Sequence, residues 1–100
     1  MSGYVLSSDA GADLDDIWEY IAADSIDAAD RWIGRLFDAF EALGRTPGMG
    51  HKREDLTPCP VLFWPVGFYM IIYRAEHSPL EIVAVTRGSR DIPALLRPRT

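Results

Sequence analysis

This sequence is poor in cysteine, in long apolar runs and in basic residues near its N-terminus. Its one cysteine, Cys59, cannot form a disulfide within the chain, which is typical of proteins from a reducing compartment. No apolar run approaches the roughly 20 residues that a membrane-spanning helix needs, and no basic segment followed by an apolar one marks a signal peptide. We therefore expect a soluble, cytoplasmic protein that has no membrane partner.

The motifs of metal, cofactor and phosphate chemistry are also missing. The sequence contains no paired-carboxylate signature of catalysis, no metal-ligand signature and no glycine-rich phosphate loop. Gly48 and Gly50 lie beside Pro47 and are typical of turns. The sequence therefore predicts no metal site, no cofactor and no catalytic residues.

Charge is distributed unevenly along the chain, whose net charge is −5. Residues 1–41 carry ten acidic and two basic side chains, whereas residues 42–100 carry five acidic and eight basic ones. The acidic half would repel a nucleic-acid backbone, while the second half could accept an anionic partner. The overall charge therefore does not settle the nature of the ligand, and our expectation that the chain binds no nucleic acid directly and specifically does not depend on it.

Apolar runs that can form a sheet are concentrated in the second half of the chain. Short breaks at Gly67 and at residues 77–79 separate three such runs, which predict a three-stranded antiparallel meander. The predicted strands are Val61–Val66, Phe68–Ala75 and Leu80–Thr86. A further short run, Tyr4–Leu6, forms a strand only if it joins this sheet.

Two helices are predicted between the first strand and the meander. Apolar residues at helical spacing from Leu14 to Ile21 predict a helix over Ser8–Ala23, capped by Ser7 or Ser8. A second stripe predicts a helix over Asp27–Leu43, which we expect to end at Gly44 in a left-handed conformation. The short connection makes the two helices an antiparallel hairpin. Residues 45–60 are predicted to form a loop, and 91–96 a helical turn.

These elements predict one α+β domain that covers residues 1–100. It consists of an N-terminal strand, an antiparallel two-helix hairpin and a three-stranded antiparallel meander. The helices pack on one face of the sheet.

Strict alternation leaves both faces of this sheet apolar, and the chain has no third long helix for the second face. In the middle strand, Phe68, Met70, Ile72 and Arg74 oppose Tyr69, Ile71, Tyr73 and Ala75. In the last strand, Leu80, Ile82, Ala84 and Thr86 oppose Glu81, Val83, Val85 and Arg87. We therefore expect a second copy or another protein to cover one face, the alternative being a curled sheet that shields its own concave side.

The order and spacing of these pieces resemble the ParE toxins of the RelE/ParE toxin-antitoxin superfamily. Together the matching segments cover nearly the whole chain. They are LDDIWEYI (14–21), AADR (28–31), PGMG (47–50), REDL (53–56), FWPVG (63–67), IIYR (71–74) and IVAV (82–85), followed by Arg87-Gly88 and Arg90-Asp91.

The resemblance implies a bacterial toxin from a type II toxin-antitoxin system. Its implied partner is a ParD-like antitoxin of the ribbon-helix-helix class, whose C-terminal segment wraps along the toxin and neutralises it. The implied target is DNA gyrase, which ParE-like toxins inhibit by protein-protein binding.

Two other functions stay open at this point. RelE-like relatives cleave messenger RNA on the ribosome. In this chain, the residues that would carry out such cleavage are Arg74, Arg87 and Tyr73. Arginine is a poor proton shuttle, however, and no Tyr, His, Lys or Glu follows Arg87. A third alternative is a relative that binds its antitoxin without being toxic.

We predict that the partner-binding surface lies on one face and one end of the meander. There an exposed apolar strip would accept hydrophobic side chains of the antitoxin, and nearby arginines would meet its acidic groups. A slip of one residue in register would exchange the exposed and buried sets. The predicted apolar residues are Trp64, Tyr69, Ile71 and Tyr73, and the predicted basic residues are Arg74, Arg87 and Arg90.

Overall fold

The computed structural model describes residues 3–87 and 91–99. A strand and two helices are followed by a 3-10 turn at Pro47–Met49, three more strands and a short helix. The α+β class and the order of elements predicted from the sequence are confirmed. The elements are β1 (Tyr4–Leu6), α1 (Ser8–Ala22), α2 (Ile26–Arg45), β2 (Leu62–Val66), β3 (Tyr69–Arg74), β4 (Leu80–Arg87) and α3 (Ile92–Leu96).

Both long helices begin at serine caps. The hydroxyl oxygen of Ser7 accepts a hydrogen bond from the backbone N–H of Ala10, and that of Ser25 accepts one from Ala28. Such caps satisfy backbone donors that the first helical turn leaves without partners. No helix in the described part of the chain is long and apolar enough to cross a membrane.

The predicted end of the second helix is wrong, because α2 continues through Gly44 to Arg45. At Gly44 the helix passes very close to the backbone of Gly3. A Cβ atom on Gly44 would lie 2.9 Å from the carbonyl carbon of Gly3. The glycine is therefore explained by this close approach inside the helix and not by a left-handed cap.

The four strands form one mixed sheet in the order β1-β4-β3-β2. The predicted antiparallel meander of β2, β3 and β4 is confirmed, and β1 joins β4 in parallel. The β1 register extends only from Tyr4 opposite Leu80 to Leu6 opposite Ile82.

The helices cover the face of the sheet that carries Tyr69, Ile71 and Tyr73. Ile71 and Tyr73 are 0% exposed and pack in one cluster with Phe40 of α2. The prediction that Tyr69, Ile71 and Tyr73 form an exposed strip is therefore wrong. Both faces of β3 are apolar, so its pattern gave no indication of which face the helices choose.

The second face of the sheet is covered by the chain itself. Ile72 packs there with Ile92 and Leu96 of α3, and Leu56 of the long loop lies against the same cluster. The expectation that another protein must cover this face is wrong. Five residues of helix are enough, because the loop before β2 covers part of the same face.

A bulge in β4 changes which side chains face the helices. Tyr73 pairs with Ile82 but Ile72 pairs with Ala84, so Val83 is an additional residue on β4. Val83 and Ala84 consequently both belong to the second-face cluster, and Val85 returns to the helix side. The strict alternation predicted for this strand is therefore wrong beyond Ile82.

The turn between β2 and β3 requires glycine at position 67. Gly67 has φ 59°, and a Cβ atom there would overlap the ring of Trp32. We expect Gly67→Ala to lower the free energy of unfolding by about 1–2 kcal/mol, the cost of a left-handed residue with a side chain. Urea denaturation measures this change. Gly48→Ala, where a Cβ atom meets nothing within 4 Å, is the control, and an equal loss in both variants would contradict the argument.

Candidate functional site

β4 extends beyond β1, its neighbour on one side of the sheet. β1 pairs with β4 only as far as Ile82, whereas β4 continues to Arg87. Side chains take the place of a strand along part of this edge. The hydroxyl of Ser7 donates to the carbonyl oxygen of Val83 (3.2 Å), and the backbone N–H of Val85 donates to Asp13 Oδ2 (3.0 Å).

Arg99 ties the C-terminal segment to the same edge. Its guanidinium donates two hydrogen bonds to the Asp13 carboxylate, at 2.6 and 3.0 Å, and a longer one of 3.4 Å to the Val83 carbonyl oxygen. The hydrogen bonds to Asp13 raise the pKa of Arg99 above its ordinary value. Asp13 therefore links α1, β4 and the segment after α3.

Next to this edge lies a pocket of about 300 Å³ between α1, the sheet and α3. We call it the β4-edge pocket. Its apolar lining comes from three parts of the fold, and charged side chains stand among it. The lining residues are Asp13, Asp16, Ile17, Tyr20, Tyr69, Val85, Thr86, Arg87 and Leu95.

Arg87 supplies the positive charge of the pocket. Its Cζ atom lies 5.4 Å from the ring centroid of Tyr20, whose side chain is 68% exposed. Arg87 forms no ion pair within residues 3–87 and 91–99, so its donors are open to a partner. A partly apolar pocket, the end of a strand beyond Val85 and an arginine without an ion pair among the described residues are features that suit an extended peptide with apolar and acidic side chains.

Two residues of the predicted binding surface meet in this pocket, namely Tyr69 and Arg87. Trp64 lies on β2, half-buried against the helix-side core, and Ile71 and Tyr73 lie fully inside that core. Arg90 lies outside the described residues.

Arg74 is placed away from the pocket. It lies 3.5 Å from the Glu81 carboxylate and donates a hydrogen bond of 3.4 Å to the carbonyl oxygen of Arg99. In the register of β3 and β4, Arg74 lies opposite Glu81. Arg87 lies six positions further along β4, about 20 Å away. The two arginines cannot bind one phosphate group in this arrangement.

Tyr73 has a structural role in the core. Its hydroxyl donates to the Pro47 carbonyl oxygen (2.7 Å) and accepts from the Gly50 N–H (2.8 Å), and burial raises the pKa of the phenol. A buried phenol with both hydrogen bonds filled is not placed to exchange protons with a substrate. The structure therefore does not bring together the three residues that RNA cleavage would use.

The charged loop before β2 is held by its own residues. Arg53 pairs with Asp55 at 2.9 Å, and His51 forms a backbone bridge with Phe63. Within the described residues, no group of three or more His, Cys, Asp and Glu is arranged as a metal site.

Sequence reasoning missed Tyr20, Asp13 and Leu95. Tyr20 carried a usable signal, since it is an aromatic residue among Asp16 and Glu19 on the predicted polar face of the first helix. Asp13 and Leu95 carried none, because their roles depend on how α1 and α3 meet β4.

Comparisons with known proteins give one family by sequence and a matching fold by structure. Residues 4–92 match the sequence profile of the ParE toxin of the type II toxin-antitoxin system parDE. Toxin ParE1 of Caulobacter vibrioides is 32% identical over 90 residues, covering 81% of this chain and 94% of that protein. A chain from the solved chromosomal ParDE system of P. aeruginosa matches with a TM-score of 0.71 at 19% identity, covering 87% of this chain and 96% of its own, which supports the fold.

Proposed function

Because this chain belongs to the ParE family of toxins from type II toxin-antitoxin systems, we propose that a cognate ParD-like antitoxin neutralises it and that its target is DNA gyrase. It acts on the target by protein-protein binding and not by catalysis. The observation that supports this choice is the separation of Arg74, Arg87 and Tyr73, which leaves RNA cleavage without an assembled site.

The antitoxin binds at the β4-edge pocket. An extended segment runs beside the last residues of β4, beyond the part of the edge that Ser7, Asp13 and Arg99 occupy. An apolar side chain enters between Ile17 and Leu95, and an acidic side chain meets Arg87. This proposal retains two residues of the predicted surface, Arg87 and Tyr69, and adds Tyr20. Trp64, Ile71 and Tyr73 belong to the helix-side core instead, and Arg74 donates a hydrogen bond to the C-terminal segment.

The antitoxin belongs to the ribbon-helix-helix class and is encoded in the adjacent reading frame. Co-expression of the two frames with an affinity tag on the toxin tests this statement. A stable complex supports it, and a toxin that purifies alone from the pair contradicts it.

Replacing Arg87 by Glu is expected to weaken antitoxin binding about tenfold or more, because it removes a hydrogen-bonded charge pair and introduces repulsion. The measurement is a binding titration at two salt concentrations. Lys52→Glu is the control, since Lys52 is exposed on the loop away from the pocket, and its affinity should change about twofold at most. Equal losses in both variants would show that only net charge matters.

Two assays separate the proposed target from the ribosome. Purified toxin is added to gyrase supercoiling reactions and to ribosomes that translate a defined message. Inhibited supercoiling with an intact message supports the proposal. Message cleavage with normal supercoiling favours an endoribonuclease of the RelE type instead.

Growth on expression without the antitoxin separates a toxin from a harmless relative. We expect growth arrest that is relieved when the antitoxin is co-expressed. Normal growth at a confirmed protein level would mean that the chain only binds its antitoxin.

A further inference from the structure

A second exposed feature lies at the turn between β2 and β3, outside the β4-edge pocket. Phe68 is 73% exposed there, directly after Gly67. Its ring centroid lies 6.1 Å from that of Trp32 on α2, and the Cζ atom of Arg35 lies 4.3 Å from the Trp32 ring. We call Trp32, Arg35 and Phe68 the tip patch.

The tip patch is held in place by the fold. Trp32 also packs edge-to-face on Tyr69, with centroids 5.4 Å apart and planes at 70°. Gly67 lies against the Trp32 ring, where a larger residue would not fit. A partner that binds these side chains would therefore meet a surface that is already arranged, which lowers the entropy cost of binding.

Arg35 gives this patch its chemical preference. The guanidinium is exposed, lies over an aromatic ring and forms no ion pair among the described residues. An arginine stacked in this way still directs N–H donors outward, in a geometry that suits a carboxylate. Trp, Phe and Arg side chains are also enriched in the central parts of protein interfaces.

The shape of the patch indicates a folded partner. Phe68 stands out from a tight turn, so it would fill a cavity on another protein, whereas an extended peptide needs a groove or a strand edge such as the one along β4. We propose that the tip patch is the surface that contacts the folded target, and that the target presents a carboxylate beside an apolar cavity. This inference rests on the proposed function, in which the target is gyrase and the antitoxin takes the β4-edge pocket.

The test compares two patch variants, Phe68→Ser and Arg35→Glu, with two matched controls. Ile26→Ser removes an apolar side chain that is 60% exposed on the same helix. Arg45→Glu reverses an exposed charge ten residues from Arg35, about 15 Å along the helix. Each variant is titrated against purified gyrase, against the antitoxin and against a random-sequence DNA duplex.

We expect each patch variant to bind gyrase about tenfold more weakly or worse, while both controls stay within about twofold of the native chain. Antitoxin affinity should stay within about twofold in all four variants, which also shows that they are folded. Unchanged gyrase affinity in both patch variants overturns the inference. So does a parallel loss of antitoxin or DNA binding, since the patch would then serve those partners.

Growth arrest on expression separates failure of this inference from failure of the proposed target. If the native chain stops growth but does not bind gyrase, the proposed target is wrong. In that case loss of growth arrest in the patch variants, with antitoxin binding kept, supports the tip patch as the contact for another target. Full growth arrest in both patch variants overturns it.

Discussion

Replacing Tyr73 by alanine is expected to lower the free energy of unfolding by about 3–5 kcal/mol, the usual cost of removing a large aromatic side chain from a packed core. Tyr73 is 0% exposed and packs with Phe40 and Ile71. Its hydroxyl also joins the Pro47 carbonyl oxygen to the Gly50 N–H. The substitution therefore removes core volume and releases the loop that follows α2. Urea denaturation followed by circular dichroism measures the loss.

Tyr73→Phe separates the hydroxyl from the ring. It keeps the core volume and leaves two backbone groups without a partner, so we expect a loss of about 1–2 kcal/mol. Tyr20→Ala is the matched control, since Tyr20 is 68% exposed and its removal should cost little stability. A Tyr73→Ala protein with native stability and lost antitoxin binding would show that the ring faces the partner and that the described packing is wrong.

Removing the Asp13 carboxylate is expected to cost about 2–3 kcal/mol, because the buried Val85 N–H loses a charged acceptor and Arg99 loses its main counter-ion. Asp13 accepts from the Val85 N–H at 3.0 Å and from Arg99 at 2.6 and 3.0 Å. The side chains of Asp13 and Arg99 are only 15% and 14% exposed, so water replaces these bonds poorly. Asp13→Ala should therefore loosen the edge of β4 and the segment after α3 together.

A double-mutant cycle with Arg99→Ala isolates the ion pair from the bond to Val85. We expect Arg99→Ala alone to cost less than Asp13→Ala, since Val85 then keeps its acceptor. Asp15→Ala, which removes an exposed carboxylate from the same helix, should change stability by about 0.5 kcal/mol at most. Additive losses in the cycle would mean that Asp13 and Arg99 do not interact in solution.

Part of the candidate site was predictable from the sequence and part was not. Arg87 and Tyr69 were predicted as binding residues, and both line the β4-edge pocket. Tyr73 was assigned to the same surface because it alternates in phase with Tyr69, yet that phase points into the helix-side core. Tyr69 still reaches the pocket because it lies at the end of its strand, where the helices leave room.

The amino-acid sequence by itself determined the helices, the meander and the family. The cap at Ser7, the helical spacing of apolar residues and the glycine of the β2–β3 turn act over a few residues, so local chemistry is enough to predict them.

Only the tertiary structure decided which face of the sheet the helices cover, how α3 closes the other face and where the bulge falls in β4. Both faces of β3 are apolar, so local pattern favours neither, and the choice depends on packing between segments far apart in the chain. The additional residue at Val83 then returns Val85 to the helix face and brings Arg87 beside Tyr20, where the β4-edge pocket forms.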